Sequence, residues 1–166
     1  IKTSIHKVLN RGNYIKSREL HKFEKSFSNY FNTKIAIGVG NATDSIYIAL
    51  KTLGISRGDE VITVSHTATG TIMGIMNTGA TPVFCDVSEN DYNLDLNLLP
   101  KKITKKTKAI VIVHLYGQSC NMDKLMNISM KDVVSILNRY FSHVRLINVY
   151  NAYSSGYRAN FICMNL

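Results

Sequence analysis

The segment from Ser17 to Phe31, SRELHKFEKSFSNYF, places Leu20, Phe23, Phe27 and Tyr30 at helical spacing among lysines and glutamates, the pattern of an amphipathic helix. A short apolar run, KIAIGV, reads as β-like. A second helix is predicted from Thr43 to Leu53, with Ile46, Leu50 and Leu53 on one face and Gly54 as its stop. GDEVITVS reads as a strand, and a helix from Thr67 to Asn77 follows, closed by Gly79. Ala68, Gly70 and Gly74 lower the propensity of that helix but allow another backbone or a ligand to approach closely. TPVFCDV is the next strand. Asp95 can cap a helix in LNLLPKKI, which Pro100 keeps short or kinked. KAIVIVHLYG is almost continuously apolar, as a strand buried on both faces must be, and NMDKLMNISMKDVVSIL opens a further helix. Strands alternating with helices predict an α/β protein with a mainly parallel sheet, whose sites lie where the carboxyl ends of strands meet helix starts.

Composition narrows the classes. The chain has 166 residues, 45% of them hydrophobic, the size of one ordinary domain with a sizeable core. No apolar run approaches the roughly 20 residues that cross a bilayer, and the start, IKTSIHKVLNRGNY, is charged and periodic rather than signal-like. A soluble, cytoplasmic protein without membrane association is therefore expected. The chain begins with Ile1 rather than Met, so its true N-terminus may be upstream or the chain a fragment. A formal net charge of +9 raises the question of nucleic acid, but the basic residues are scattered apart from KKITKKTK at 101–108. That run lacks interleaved aromatics and precedes AIVIV, so a solvated connection accounts for it and no nucleic-acid partner is expected. Cys85, Cys120 and Cys163 are widely spaced, with neither a C-x-x-C pair nor a histidine at zinc spacing, so no metal site is expected.

The candidate chemistry starts at GNATDS, where the β-like run feeds a helix. The first N–H groups of a helix lack partners inside it, and a phosphate can take them. A plain αβ corner with a polar cap is the alternative. A dinucleotide-binding reading is set aside, because GVGNAT lacks the third glycine and no acid ends the next strand.

The motifs GDEVIT, TGATPVFCD, YNLD and HLYGQ occur in an order and at spacings that resemble the DegT/DnrJ/EryC1/StrS family of pyridoxal-phosphate-dependent sugar aminotransferases. The resemblance runs from Lys2, through VLNRGNYI and GNATDS, to Ser129. It implies the large domain of a fold type I pyridoxal-phosphate (PLP) transferase, a mainly parallel sheet with helices on both faces, here truncated. Residues 1–129 would form the N-terminal part of that domain, and 130–166 a tail without resemblance. It also implies a nucleotide-linked sugar as substrate, a homodimer in the family and self-association of this chain. GNATDS would open a helix against the cofactor phosphate, with Ala42 and Thr43 offering backbone N–H groups and Thr43 its hydroxyl. Asp44 is a helix-opening acid or simply a cap. Family members commonly carry a ring-stacking aromatic where this chain has Ala68; His66 either covers the ring in its place or caps the turn. HLYGQ would lie near the floor of the site. His114, ending a buried strand, is favoured as structural over substrate-facing, Tyr116 is a substrate-side candidate, and Tyr14 either packs or lines the substrate entrance.

Transamination needs a lysine amine for the Schiff base and an acid that keeps the pyridine nitrogen protonated. The family supplies both after the helix that begins at MDKL. Beyond Ser129 the resemblance stops, Val149 stands about where the acid would, and the lysine is not in sight; Lys124 and Lys131 read as surface charge. No catalytic residue is assigned. The expectation is a truncated aminotransferase, inactive as this chain, or a non-catalytic pseudoenzyme that pairs with a full-length homologue.

Overall fold

The computed structural model describes residues 1–31, 34–128, 143–150 and 158–165. It divides into two compact units, Ile1–Val39 and Gly40–Leu166. The boundary expected after residue 129 lies outside the described residues.

The first unit carries α1, Lys2–Arg11, and α2, Arg18–Tyr30. Helix α1 ends at Gly12, whose φ of 67° lets its N–H turn back to the carbonyls of Val8 and Leu9. Arg11 Nη1 meets Glu19 Oε1 at 2.8 Å and so ties the end of α1 to the first turn of α2. Phe23, Phe27 and Phe31 run along α2 with successive ring centroids 5.6 and 4.6 Å apart. Residues 34–39 form no strand, which corrects the β-like expectation for KIAIGV. A strand needs a ladder, and among the described residues this run belongs to none of the sheet's strands or isolated bridges. It lies along α2 instead: the Gly38 N–H donates to Glu24 Oε1 at 2.8 Å, and a Cβ at Gly38 would stand 2.9 Å from Leu20 Cδ1. Among the described residues of this unit only Ser17 and Ser28 are buried, while Ile5, Leu9, Ile15, Phe23, Tyr30, Ile35 and Ile37 are exposed.

The second unit is built on a five-stranded sheet in the order β2-β1-β3-β5-β4. Strands β1 (Glu60–Val64), β2 (Thr81–Cys85) and β3 (Thr107–His114) are parallel, as predicted. Strands β4 (His143–Tyr150) and β5 (Arg158–Asn165) add an antiparallel pair beside β3, so the sheet is mixed. The helices are α3 (Ala42–Thr52), α4 (Thr69–Met76), α5 (Leu99–Lys102) and α6 (Met122–Ile128). Pro100 holds α5 to a single turn, and the Asp95 carbonyl accepts from the Leu98 and Leu99 N–H groups just ahead of it.

Alternation along the central strands sorts the core onto both faces of the sheet. Val61, Ala109 and Val111 pack with Ile46, Leu50 and Ile75 of α3 and α4. Ile62, Val64, Ile110 and Ile112 pack with Leu99 of α5 and Leu125 of α6. This is why β3 has no polar face to show: apart from Lys108, every residue from Thr107 to His114 is buried. On the first face α3 and α4 meet through glycine. A Cβ at Gly74 would lie 2.7 Å from Ile46 Cγ2 and 3.0 Å from the Thr43 carbonyl.

Gly74→Ala therefore forces one extra carbon into a filled contact. It is expected to lower unfolding free energy by about 1–3 kcal/mol, read by chemical denaturation; an unchanged midpoint would show that α3 and α4 can separate without cost.

Candidate functional site

Strand β1 lies between its two parallel neighbours, and the loops that leave the carboxyl ends of β1, β2 and β3 bring three rings together. His66 follows β1, Tyr92 follows β2 and Tyr116 follows β3. The imidazole of His66 is 6.2 Å from the Tyr92 ring and 6.2 Å from the Tyr116 ring, inclined at 82° to each. Both are edge-to-face arrangements. The tyrosine loops are linked below the rings: Asn93, buried, accepts the Leu115 N–H on Oδ1 at 3.3 Å.

A second feature sits at the start of α3. Asn41 caps the helix, its Oδ1 accepting the Asp44 N–H at 2.8 Å while its Nδ2 donates to Asp44 Oδ2 at 2.8 Å. Asp44 is thus a member of the cap. Once the cap has used the Asp44 amide, the remaining first-turn amides are those of Ala42 and Thr43. Thr43 turns its hydroxyl toward α4, where a Cβ on Gly70 would stand only 2.5 Å from Thr43 Oγ1. Only glycine leaves that oxygen its place. Ala68, the N-cap residue of α4, is exposed and offers no ring.

Of the residues singled out from sequence, His66 and Tyr116 meet, and Ala42 and Thr43 open a helix held against α4. His114 is buried with Nδ1 accepting the Cys120 N–H at 3.0 Å, a contact that fixes the turn after β3. Tyr14 belongs to the first unit, where it is exposed and its hydroxyl donates to the Leu9 carbonyl at 3.3 Å. Tyr92 was missed. YNLD was visible as a motif, but nothing local announced that its tyrosine would reach His66, 26 positions earlier in the chain.

Burial pushes the Cys120 thiol up to about 11, the charge of Asp91 adding to the effect, and burial likewise raises Cys85. Neither thiol is a nucleophile at neutral pH. Among the described residues no group of three or more His, Cys, Asp or Glu side chains could hold a metal ion, and no helix is long and apolar enough to cross a membrane.

This α/β sheet with its covering helices is shared with solved PLP-dependent aminotransferases. S. venezuelae DesV matches 99% of this chain and 49% of its own at 30% identity and a TM-score of 0.73. NtdA of Bacillus subtilis, solved with bound PMP (the amino form of PLP), matches 99% of this chain and 41% of its own at 26% identity and a TM-score of 0.76. The chain belongs to the DegT/DnrJ/EryC1/StrS aminotransferase family, whose sequence model matches residues 1–138, past the Ser129 limit of the resemblance read above. The dTDP-3-amino-3,6-dideoxy-alpha-D-galactopyranose transaminase of Aneurinibacillus thermoaerophilus is 41% identical over 79% of this chain and 36% of its own length. The chain spans about a third of the length of the curated relatives it matches, among them dTDP- and UDP-sugar aminotransferases. Pyridoxal phosphate is the family's cofactor.

The raised thiol carries a pH prediction. The unfolded chain releases the Cys120 proton near 9.0, the folded chain only near 11, so between these values the folded state holds more protons. Stability contributed by the buried neutral thiol is full below pH 9 and is lost as pH rises through about 11. Replacing Cys120 by Ala is expected to flatten the alkaline fall in the unfolding midpoint; an identical slope in both forms would remove the thiol as its cause.

Proposed function

We propose that this chain forms the cofactor-phosphate side of a nucleotide-sugar aminotransferase, with Ala42 and Thr43 as the phosphate-binding residues and His66 beside the cofactor ring. The observation that carries the reading is the start of α3, where the cap engages the Asp44 amide and leaves those of Ala42 and Thr43 to a ligand, while Gly70 gives the Thr43 hydroxyl its place beside α4. A phosphate dianion there gains hydrogen bonds from two amides and the Thr43 hydroxyl, and the favourable end of the helix dipole. Asp44 opposes it least with its carboxylate engaged by the Asn41 amide, as it is.

When bound, pyridoxal phosphate supplies an electron sink for moving an amino group from an amino acid such as glutamate to the keto group of a nucleotide-linked sugar. The residues of this chain bind and orient; none is assigned to the covalent or proton-transfer work. His66, exposed and flanked by two tyrosines, is the ring at hand where Ala68 supplies none. Tyr116 stands beside it on the substrate side, His114 supports the same turn from below, and Tyr14 is the entrance candidate. The cytoplasmic location expected from sequence belongs to this reading. A second reading, a non-catalytic partner of another chain, is favoured by the apolar side chains that the first unit leaves exposed, Phe23, Tyr30, Ile35 and Ile37 among them. Self-association of the 166-residue chain or pairing with a full-length homologue would cover them.

One experiment with two arms tests the proposal. Calorimetric titration with pyridoxal phosphate is expected to show weakening by about 1 kcal/mol in Thr43→Val, which keeps the shape and removes the hydroxyl. Equal affinity in both forms would remove Thr43 from the site. In the second arm the 166-residue chain is incubated with pyridoxal phosphate, reduced with borohydride and assayed for glutamate-dependent amination of a keto-sugar nucleotide. No turnover and no specifically labelled lysine are expected; one labelled lysine together with turnover would overturn the assignment of a binding role alone.

A further inference from the structure

Among the described residues of the second unit, two that are not glycine have left-handed backbone conformations, and both are tyrosines whose rings meet the same imidazole: Tyr92 at φ 55° and Tyr116 at φ 54°. Side chains with a Cβ enter that region uncommonly, and residues held there must be held by their surroundings. The surroundings are on hand. The Tyr92 N–H donates to the Ser88 carbonyl at 2.9 Å, and the next residue, Asn93, is buried and bonded to the N–H of Leu115, the residue before Tyr116. The two strained positions are therefore coupled through one buried side chain. Packing does not explain the conformations, because the rings they aim are 53% and 72% exposed.

We propose that Tyr92 is a positioning residue that, with Tyr116, clamps the His66 imidazole edge-on, so that three loop ends form one wall for a flat, electron-poor heteroaromatic ring. The proposal rests on the reading of His66 as the ring neighbour and extends it to how the ring is held. With Ala68 too small to cover a pyridine, the wall substitutes for a single stacked side chain. An imidazole in edge-to-face contact with two rings loses rotamer freedom before the ligand arrives, which removes an ordering cost from binding. Two electron-rich phenol rings beside the imidazole favour a planar partner poor in electrons.

Three variants of the 166-residue chain test this: Tyr92→Phe, Tyr92→Leu and Tyr92→Gly. The first readout needs no ligand. The carbon-bound imidazole protons of His66 are expected to be displaced by the tyrosine ring currents; Tyr92→Phe keeps that displacement, while Tyr92→Leu and Tyr92→Gly lose the Tyr92 part. Tyr92→Gly is also expected to raise the thermal midpoint, since glycine accepts φ 55° without strain. The second readout compares pyridoxal phosphate with pyridoxal, which carries no phosphate. Tyr92→Leu is expected to weaken both by about three- to tenfold, with recovery in Tyr92→Phe.

Unmoved His66 signals in Tyr92→Leu overturn the proposal. So does a loss confined to pyridoxal phosphate, or a wild-type chain that does not bind pyridoxal. Failure of the phosphate-site reading has a different signature: Thr43→Val without effect, while the His66 signals still respond to Tyr92.

Discussion

Burial of β1 and β3 on both faces is the constraint from which the second unit follows. A strand with apolar residues at every position has no side to turn to water, so helices must cover it above and below. Val61 and Val111 call for α3 and α4, and Ile62, Ile110 and Ile112 call for α5 and α6. Parallel strands in turn require crossovers, which is why β1, β2 and β3 are separated by helices and loops rather than by tight turns.

The same constraint places the chemistry. Parallel strands end on one edge, so residues far apart in the chain, His66, Tyr92 and Tyr116, are delivered to a single region by the ends of three neighbours. Two further contacts refine it. Gly70 and Gly74 let α4 lie close enough to α3 to fix the first turn of that helix, and Asn93 locks the loop after β2 to the turn after β3. Glycine at 70 and 74 and asparagine at 93 thus do structural work at the rim on which His66, Tyr92, Tyr116 and Thr43 stand.

The first unit contrasts with this. Its helices are amphipathic, its salt bridge and caps are local, and its apolar side chains lie open rather than in a core of their own. The run from Ile35 to Val39 has the composition of a strand but joins no sheet among the described residues.

Local physics determined much of this protein from sequence. The periodicity of α2 and α3, the stop at Gly54, the short α5 and the apolar continuity of β3 each follow from neighbours in the chain, and α2 and α3 are found within a residue of their expected bounds. The small residues at 70 and 74 announced a close approach, although not that Thr43 and Ile46 would make it. Tertiary structure alone decided the rest. Whether KIAIGV is a strand depends on a ladder partner, which no stretch of sequence contains. That Tyr92 reaches His66, in a backbone conformation its own residue type disfavours, depends on a buried asparagine bonded across two loops. Hydrogen-bond partners and ring contacts between distant positions are set by how the sheet orders its strands, and that order is a property of the packed whole, whereas helix periods and caps are written within a few residues of one another.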